Sequence, residues 1–103
     1  MSDYVFAYHG GKEFDSPEEG QKHMKKWRAW LQGLGDAVIT SGTPLGLSSL
    51  VSSEGIMDFE GPDHLSGFSI FRADGMCEAL EIAKSCPHLD IGTIEVAEVM
   101  EIK

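Results

Sequence analysis

A chain of 103 residues is long enough to bury one core and short enough that its stability is modest or shared with a partner, so a single domain over residues 1–103 is expected. Its 42% hydrophobic content and nine aromatic residues set it apart from disordered sequences. The net charge of −9 has the wrong sign for binding phosphate backbones or anionic membrane surfaces, and nucleic acid and membrane are set aside as partners, although Lys22, His23, Lys25, Lys26 and Arg28 form one local basic cluster.

In chain order, Tyr4 to Tyr8 alternates aromatic Tyr4, Phe6 and Tyr8 with small Val5 and Ala7 and reads as a first strand, ended by Gly10-Gly11. Ser16-Pro17-Glu18-Glu19 combines an N-cap serine, a proline at the first helical position and a glutamate three residues on. The helix it opens should run from Pro17 to Leu34 and stop at Gly35. Asp36 to Thr43 reads as a second strand, followed by the turn Gly42-Thr43-Pro44-Leu45-Gly46, and Leu47 to Val51 as a short strand forming a hairpin with it. Ser52 to Ser66 is rich in turn formers and is expected to be an exposed loop. Gly67 to Ala73 is a third strand. Asp74 then caps a second helix, Gly75 to Ser85, with Met76, Ala79, Leu80 and Ala83 on one stripe. Pro87 ends it, and Thr93 to Ile102 is a fourth strand.

The order βαββαβ fits an α+β, ferredoxin-like split sheet with both helices on one face. Its strands are apolar on both faces: Phe68 and Ile70 oppose Phe71 and Ala73, and Ile94 and Val96 oppose Ala97 and Val99. Two helices cover one face, so something else must cover the other. A second copy in a homodimer is the simplest cover; the 52–66 loop folded across the sheet is the alternative.

Several side chains are candidates for chemistry. On a helical wheel, Met24, Trp27, Trp30, Leu31 and Leu34 fill an arc of about 120°, and His23 lies inside it. Desolvation there lowers a histidine pKa and keeps it neutral near pH 7. Such an imidazole can serve as general acid or base, or it can be a core histidine satisfied by one backbone carbonyl. His88, in Cys86-Pro87-His88-Leu89, can face the same cleft, cap the helix or lie in solvent. Glu98 interrupts the apolar register of Ile94, Val96 and Met100, while Glu95 shares the other face with Ala97 and Val99. Either is a candidate acid or base if covered, and merely solvated if near a strand end. His9 and His64 read as exposed, and Cys86 as a buried small residue rather than a nucleophile. Cys77 and Cys86, about 13 Å apart along a shared helix, should not form a disulfide. No ligand spacing supports a metal, and no nucleotide-binding or serine-hydrolase motif is present. No apolar run nears the roughly 20 residues that span a bilayer, and Met1-Ser2-Asp3-Tyr4 lacks the character of a secretory signal, so a cytoplasmic location is expected.

Taken together, His23-Met24-Lys25-Lys26-Trp27 leading to Leu34-Gly35, Gly42-Thr43-Pro44-Leu45, Gly67-Phe68-Ser69-Ile70, Glu78-Ala79, Cys86-Pro87-His88-Leu89 and Gly92-Thr93-Ile94-Glu95-Val96 resemble the YCII-related proteins, in particular the branch named for a DGPF motif. The resemblance spans almost the whole chain and implies a ferredoxin-like domain that dimerises through its sheets into an α+β barrel. Where the branch has Asp-Gly-Pro-Phe, this chain reads Glu60-Gly61-Pro62-Asp63. In the wider family a helix-1 histidine, matched by His23, is proposed to work with an aspartate in an Asp-Pro step after the second helix. Here that step reads Cys86-Pro87, which leaves the acid's part to Glu95, Glu98 or His88. A few relatives resemble cofactor-free lyases or isomerases acting on small aromatic-derived rings, and some of the branch are associated with sigma factors of transcription.

The expectation is therefore a homodimeric protein that needs no cofactor, with a cleft between the first helix and the sheet. It would be an acid/base enzyme or a binder of a small apolar or aromatic-derived ligand. His23 would transfer a proton with His88 or Glu98 assisting, and Trp27 and Glu95 would contact the substrate. The alternative is a non-catalytic dimeric regulatory or protein-interaction module that meets its partner through the acidic surface and the 52–66 loop.

Overall fold

Alternation of aromatic and small side chains produces a strand, β1 (Ser2–Gly10), at the centre of the sheet in a computed structural model that describes residues 1–11, 14–59, 61 and 63–100. Helix α1 (Pro17–Leu34) begins as its sequence dictates: the Ser16 hydroxyl accepts the Glu19 N–H at 3.3 Å, and Pro17 fills the first turn, where no N–H is needed. It ends at Gly35, whose φ of +55° suits a residue without a Cβ. A short 3-10 turn (Gly35–Ala37) leads into β2 (Val38–Pro44), and the chain continues through β3 (Ser48–Ser52), β4 (Gly55–Phe59), β5 (Leu65–Ala73), α2 (Met76–Lys84), a second 3-10 turn (Pro87–Asp90) and β6 (Gly92–Glu98).

The main sheet has the order β2-β5-β1-β6 with antiparallel neighbours. This is the ferredoxin-like α+β arrangement expected from the βαββαβ pattern. Three expectations are corrected. The 47–51 segment pairs with β4 rather than with β2, in a separate two-stranded sheet closed by the Ser53-Glu54 turn, so the expected 52–66 loop contains a strand. Gly55 at φ +135° permits that tight reversal, and β2 ends at Pro44, which has no N–H to extend a ladder. The second helix has Gly75 rather than Asp74 as its N-cap and no side-chain cap, while the Asp74 N–H donates to the Glu78 carboxylate at 3.2 Å; Ala79 and Ala83 are buried, and Met76 and Leu80 remain 40% and 45% exposed. The last strand stops at Glu98. The Glu60 and Pro62 part of the motif position and residues 101–103 lie outside the described residues.

The core sits between the helices and one face of the sheet. Tyr4, Phe6, Tyr8, Phe71 and Ala73 meet Ala79, Ala83 and Cys86 there, with Trp27, Trp30 and Leu31 packed against them. Edge-to-face contacts link Phe6 to Phe71 at 4.7 Å, Phe71 to Trp30 at 5.3 Å, Trp30 to Trp27 at 5.3 Å and Trp27 to Tyr8 at 5.1 Å. This aromatic chain runs from the middle of the core to the sheet end where α1 begins. The opposite face is uncovered: Val5, Ala7 and Ile70 are half-buried, and Ala97 and Val99 are exposed. The β3–β4 hairpin exposes Val51 and Ile56, 71% and 76% accessible. The molecule is flat, 46 × 38 × 18 Å, and its radius of gyration of 14.9 Å exceeds the roughly 13 Å of a compact domain this long. No helix among the described residues is long and apolar enough to cross a membrane.

Candidate functional site

The aromatic chain ends in a cleft of about 330 Å³, bounded by α1, the ends of β1 and β5, the Ser41–Pro44 part of β2 and the 3-10 turn after α2. That volume is at the small end of the range of ligand pockets. Met24, Trp27, Leu31 and Ile91 give it apolar walls, and His23 and His88 are its two histidines.

His23 is the one buried residue of α1, with 9% of its surface accessible. One turn further on, Trp27 faces the same way, and its indole N–H donates to His23 Nε2 at 2.9 Å. Phe14 packs against the His23 ring with centroids 5.0 Å apart. Burial pushes the His23 pKa below the ordinary histidine value; the negative charge of Asp90 opposes that shift, and His88 and Lys26 add to it. Among the described residues, the hydrogen bond His23 makes is to Trp27 rather than to a backbone carbonyl.

His88 is buried, not solvent-exposed. Pro87 opens the 3-10 turn that carries it inward, and His88 Nε2–H donates to the His9 carbonyl at 2.9 Å. Gly92 makes this possible: a Cβ there would lie 2.6 Å from His88 Nε2 and would collide with the His9 carbonyl oxygen. The glycine is thus a requirement of the site. Gly42 is another, since at φ +78° its missing Cβ leaves room for the Phe68 carbonyl oxygen where the β2–β5 register breaks.

Beneath the cleft a polar chain crosses the sheet. Tyr8 donates its hydroxyl hydrogen to Ser69 Oγ at 2.9 Å, and Ser69 donates to the Ser41 carbonyl at 2.7 Å. Burial pushes the Tyr8 pKa up, so it remains a phenol at neutral pH. Burial also pushes the Cys86 thiol up to about 11, and the cysteine is a protonated, space-filling group, as its sequence context indicates. Both cysteines are free.

The fold thus brings together three of the five candidates: His23, Trp27 and His88. Glu98 and Glu95 stand elsewhere. Glu98 pairs with Tyr4, at the opposite end of β1 from the cleft; it is exposed as the last residue of β6 and accepts a long 3.5 Å hydrogen bond from the Tyr4 hydroxyl. Glu95 pairs with Ala7 on the uncovered face and meets His9 Nε2 at 3.1 Å. His9 and His64 are less exposed than expected. Their Nδ1 atoms bond the carbonyls of Asp63 at 3.0 Å and Gly61 at 2.9 Å. Among the described residues, no three His, Cys, Asp or Glu side chains gather to hold a metal ion.

Tyr8, Ser69 and Arg28 also border the cleft, and sequence reasoning passed over them. Tyr8 reads as one more strand aromatic. Ser69 carried a usable signal, a lone hydroxyl between Phe68 and Ile70 on a strand buried at that position, which must find partners.

Comparison with family models matches the YCII-related domain over residues 3–103. No curated protein matches the chain. Among solved structures, the chain is similar to the 5-chloro-2-hydroxyhydroquinone dehydrochlorinase of Burkholderia phenoliruptrix AC1100 in its complex with 2,5-dihydroxybenzoquinone. The identity is 15%, the TM-score 0.59, and 95% of this chain and 93% of that one are covered. At that identity the likeness speaks for the fold.

Proposed function

This chain belongs to the YCII-related family, and on that premise we propose that its cleft holds a small apolar or aromatic-derived ligand and performs cofactor-free acid/base chemistry of the lyase or isomerase type on it. The observation that carries this reading is the convergence of two buried histidines on one apolar cleft, with His23 held neutral. His23 and His88 are the acid/base pair and Trp27 the apolar wall. Glu95 and Glu98 are left out of the machinery because neither borders the cleft. The solved neighbour described above, a dehydrochlorinase bound to a dihydroxybenzoquinone, supports a small oxygenated ring as the ligand type.

The same reading makes the protein a single cytoplasmic domain of the DGPF branch, paired with a second copy through the uncovered sheet face around Val5, Ala7 and Ile70. A second reading, a non-catalytic module that docks a partner protein, is favoured by the exposed apolar side chains of the β3–β4 hairpin.

Thermal unfolding with and without 2,5-dihydroxybenzoquinone or a chlorinated hydroxyhydroquinone separates the two. A ligand at 100 times its Kd should add about 2.7 kcal/mol of stability to the wild-type protein, and His23→Gln should keep the fold but lose that gain. Equal stabilisation of both proteins, or of neither, would overturn the enzyme reading.

A further inference from the structure

The contact between Trp27 and His23 has one chemical interpretation. An indole nitrogen carries a hydrogen and offers no lone pair, so at 2.9 Å Trp27 Nε1 donates and His23 Nε2 accepts. A neutral imidazole has one N–H, so the proton must be on Nδ1. An imidazolium would bring an N–H against the indole N–H, so the same contact resists protonation of His23. His88 shows the complementary case: its Nε2–H is committed to the His9 carbonyl at 2.9 Å, so any lone pair its ring offers is on Nδ1.

We propose that Trp27 is a positioning residue that locks His23 as the neutral Nδ1–H tautomer, so that His23 meets a ligand as a hydrogen-bond donor through Nδ1 and the lone pair of Nε2 stays occupied. This rests on the reading of the cleft as a ligand site and narrows the part of His23 in it from proton transfer to hydrogen-bond donation. A neutral imidazole whose acceptor nitrogen is occupied does not take up a proton. It polarises a ligand oxygen, whether a carbonyl, a carboxylate or an ionised phenol. The proton-accepting member of the pair is then His88, through Nδ1. The cleft accordingly selects a ring that carries both an oxygen acceptor and an acidic hydrogen. Among the described residues, the groups that act electrostatically on His23 are Asp90 and His88 from the 3-10 turn and Lys26 from its own helix, and of these Asp90 alone favours protonation.

The test is nitrogen-detected NMR of the ligand-free, 15N-labelled protein, in which the two- and three-bond couplings of each imidazole report which nitrogen carries the proton. His23 is expected as the Nδ1–H tautomer. In Trp27→Phe the tautomer population should move toward Nε2–H and the His23 titration midpoint should rise. Trp30→Phe is the control. Trp30 packs 5.3 Å from Trp27 and donates to Ser85 Oγ at 2.9 Å, so this variant disturbs the same core and should leave the His23 tautomer unchanged. Nε2–H in the wild-type protein, or Nδ1–H retained in Trp27→Phe, would overturn the proposal; if Trp27→Phe does not fold, the wild-type tautomer decides. The measurement needs no ligand, so its failure and a failure of ligand binding are separate results.

Discussion

The two faces of the main sheet are made of adjacent residues on the same strands, yet they are built from different chemistry. On β1, Tyr4, Phe6 and Tyr8 face the helices, while Val5 and Ala7 face outward; on β5, Phe71 and Ser69 face in, while Ile70 and Arg72 face out. The inward face uses large rings in edge-to-face contact that continue into the cleft, and its hydroxyl groups are all partnered there. The outward face is mixed: Val5, Ala7, Phe68 and Ile70 are half-buried, and Asp3, His9, Arg72 and Glu95 share it with them. A face of interlocking rings suits the fixed side chains of the chain's own helices, whereas an apolar patch with charged residues around it suits a surface that arrives from outside. The difference teaches that apolar character alone does not identify a core; side-chain size and partnering do.

Three perturbations break or sharpen that comparison. The largest effect should come from the inward face: Phe71→Ala removes a fully buried ring that touches both Phe6 and Trp30, and should cost about 3–5 kcal/mol in urea unfolding. A loss below about 1 kcal/mol would show that the aromatic chain is not the core. Next comes the outward face. Ile70→Asp should change the apparent mass in solution from that of a pair to that of a single chain, with little effect on the unfolding of the separated chain, because the new carboxylate is covered only when a second copy is present. Unchanged mass would remove the proposed pairing. The smallest effect is on pH dependence. The folded His23 pKa lies below the ordinary value of about 6.5, so the unfolded chain binds the proton more readily than the folded one. Stability attributable to His23 is complete above about pH 6.5 and is lost as pH falls from there through the folded pKa. His23→Gln should flatten the melting-temperature profile over that acidic window, and an unchanged slope would place the titrating group elsewhere.

Much of the covered face was legible in the residues. Alternation in 4–8, the Ser16-Pro17 start, the Gly35 stop and the stripe through Trp27, Trp30 and Leu31 are all local signals, and each element formed near where its signal lies. His23 was legible for the same reason, since helical spacing alone puts it among the apolar residues of its helix. The β3–β4 hairpin was not. Leu50, Val51, Ile56 and Met57 are outnumbered by Ser, Glu, Asp and Gly, and their pairing depends on a two-residue turn rather than on composition. The distance of Glu98 and Glu95 from the cleft was not legible, because period-2 alternation says which face a residue shares but not how far along the strand the cleft lies. That distance is set by the register Tyr4↔Glu98 and Tyr8↔Ile94.

By itself, then, the sequence determined the βαββαβ order of the main sheet and its two helices, the sheet class and the placement of one histidine on an apolar helix face, because these follow from short-range periodicity and capping. Tertiary structure alone decided that His88, 65 positions along the chain, joins His23 at one cleft. It also decided that Gly92 must lack a side chain for His88 to reach the His9 carbonyl, and which nitrogen of each imidazole is committed to a neighbour. Contacts between distant segments are fixed by strand register and by the space left between packed rings, and neither is written in any local run of residues.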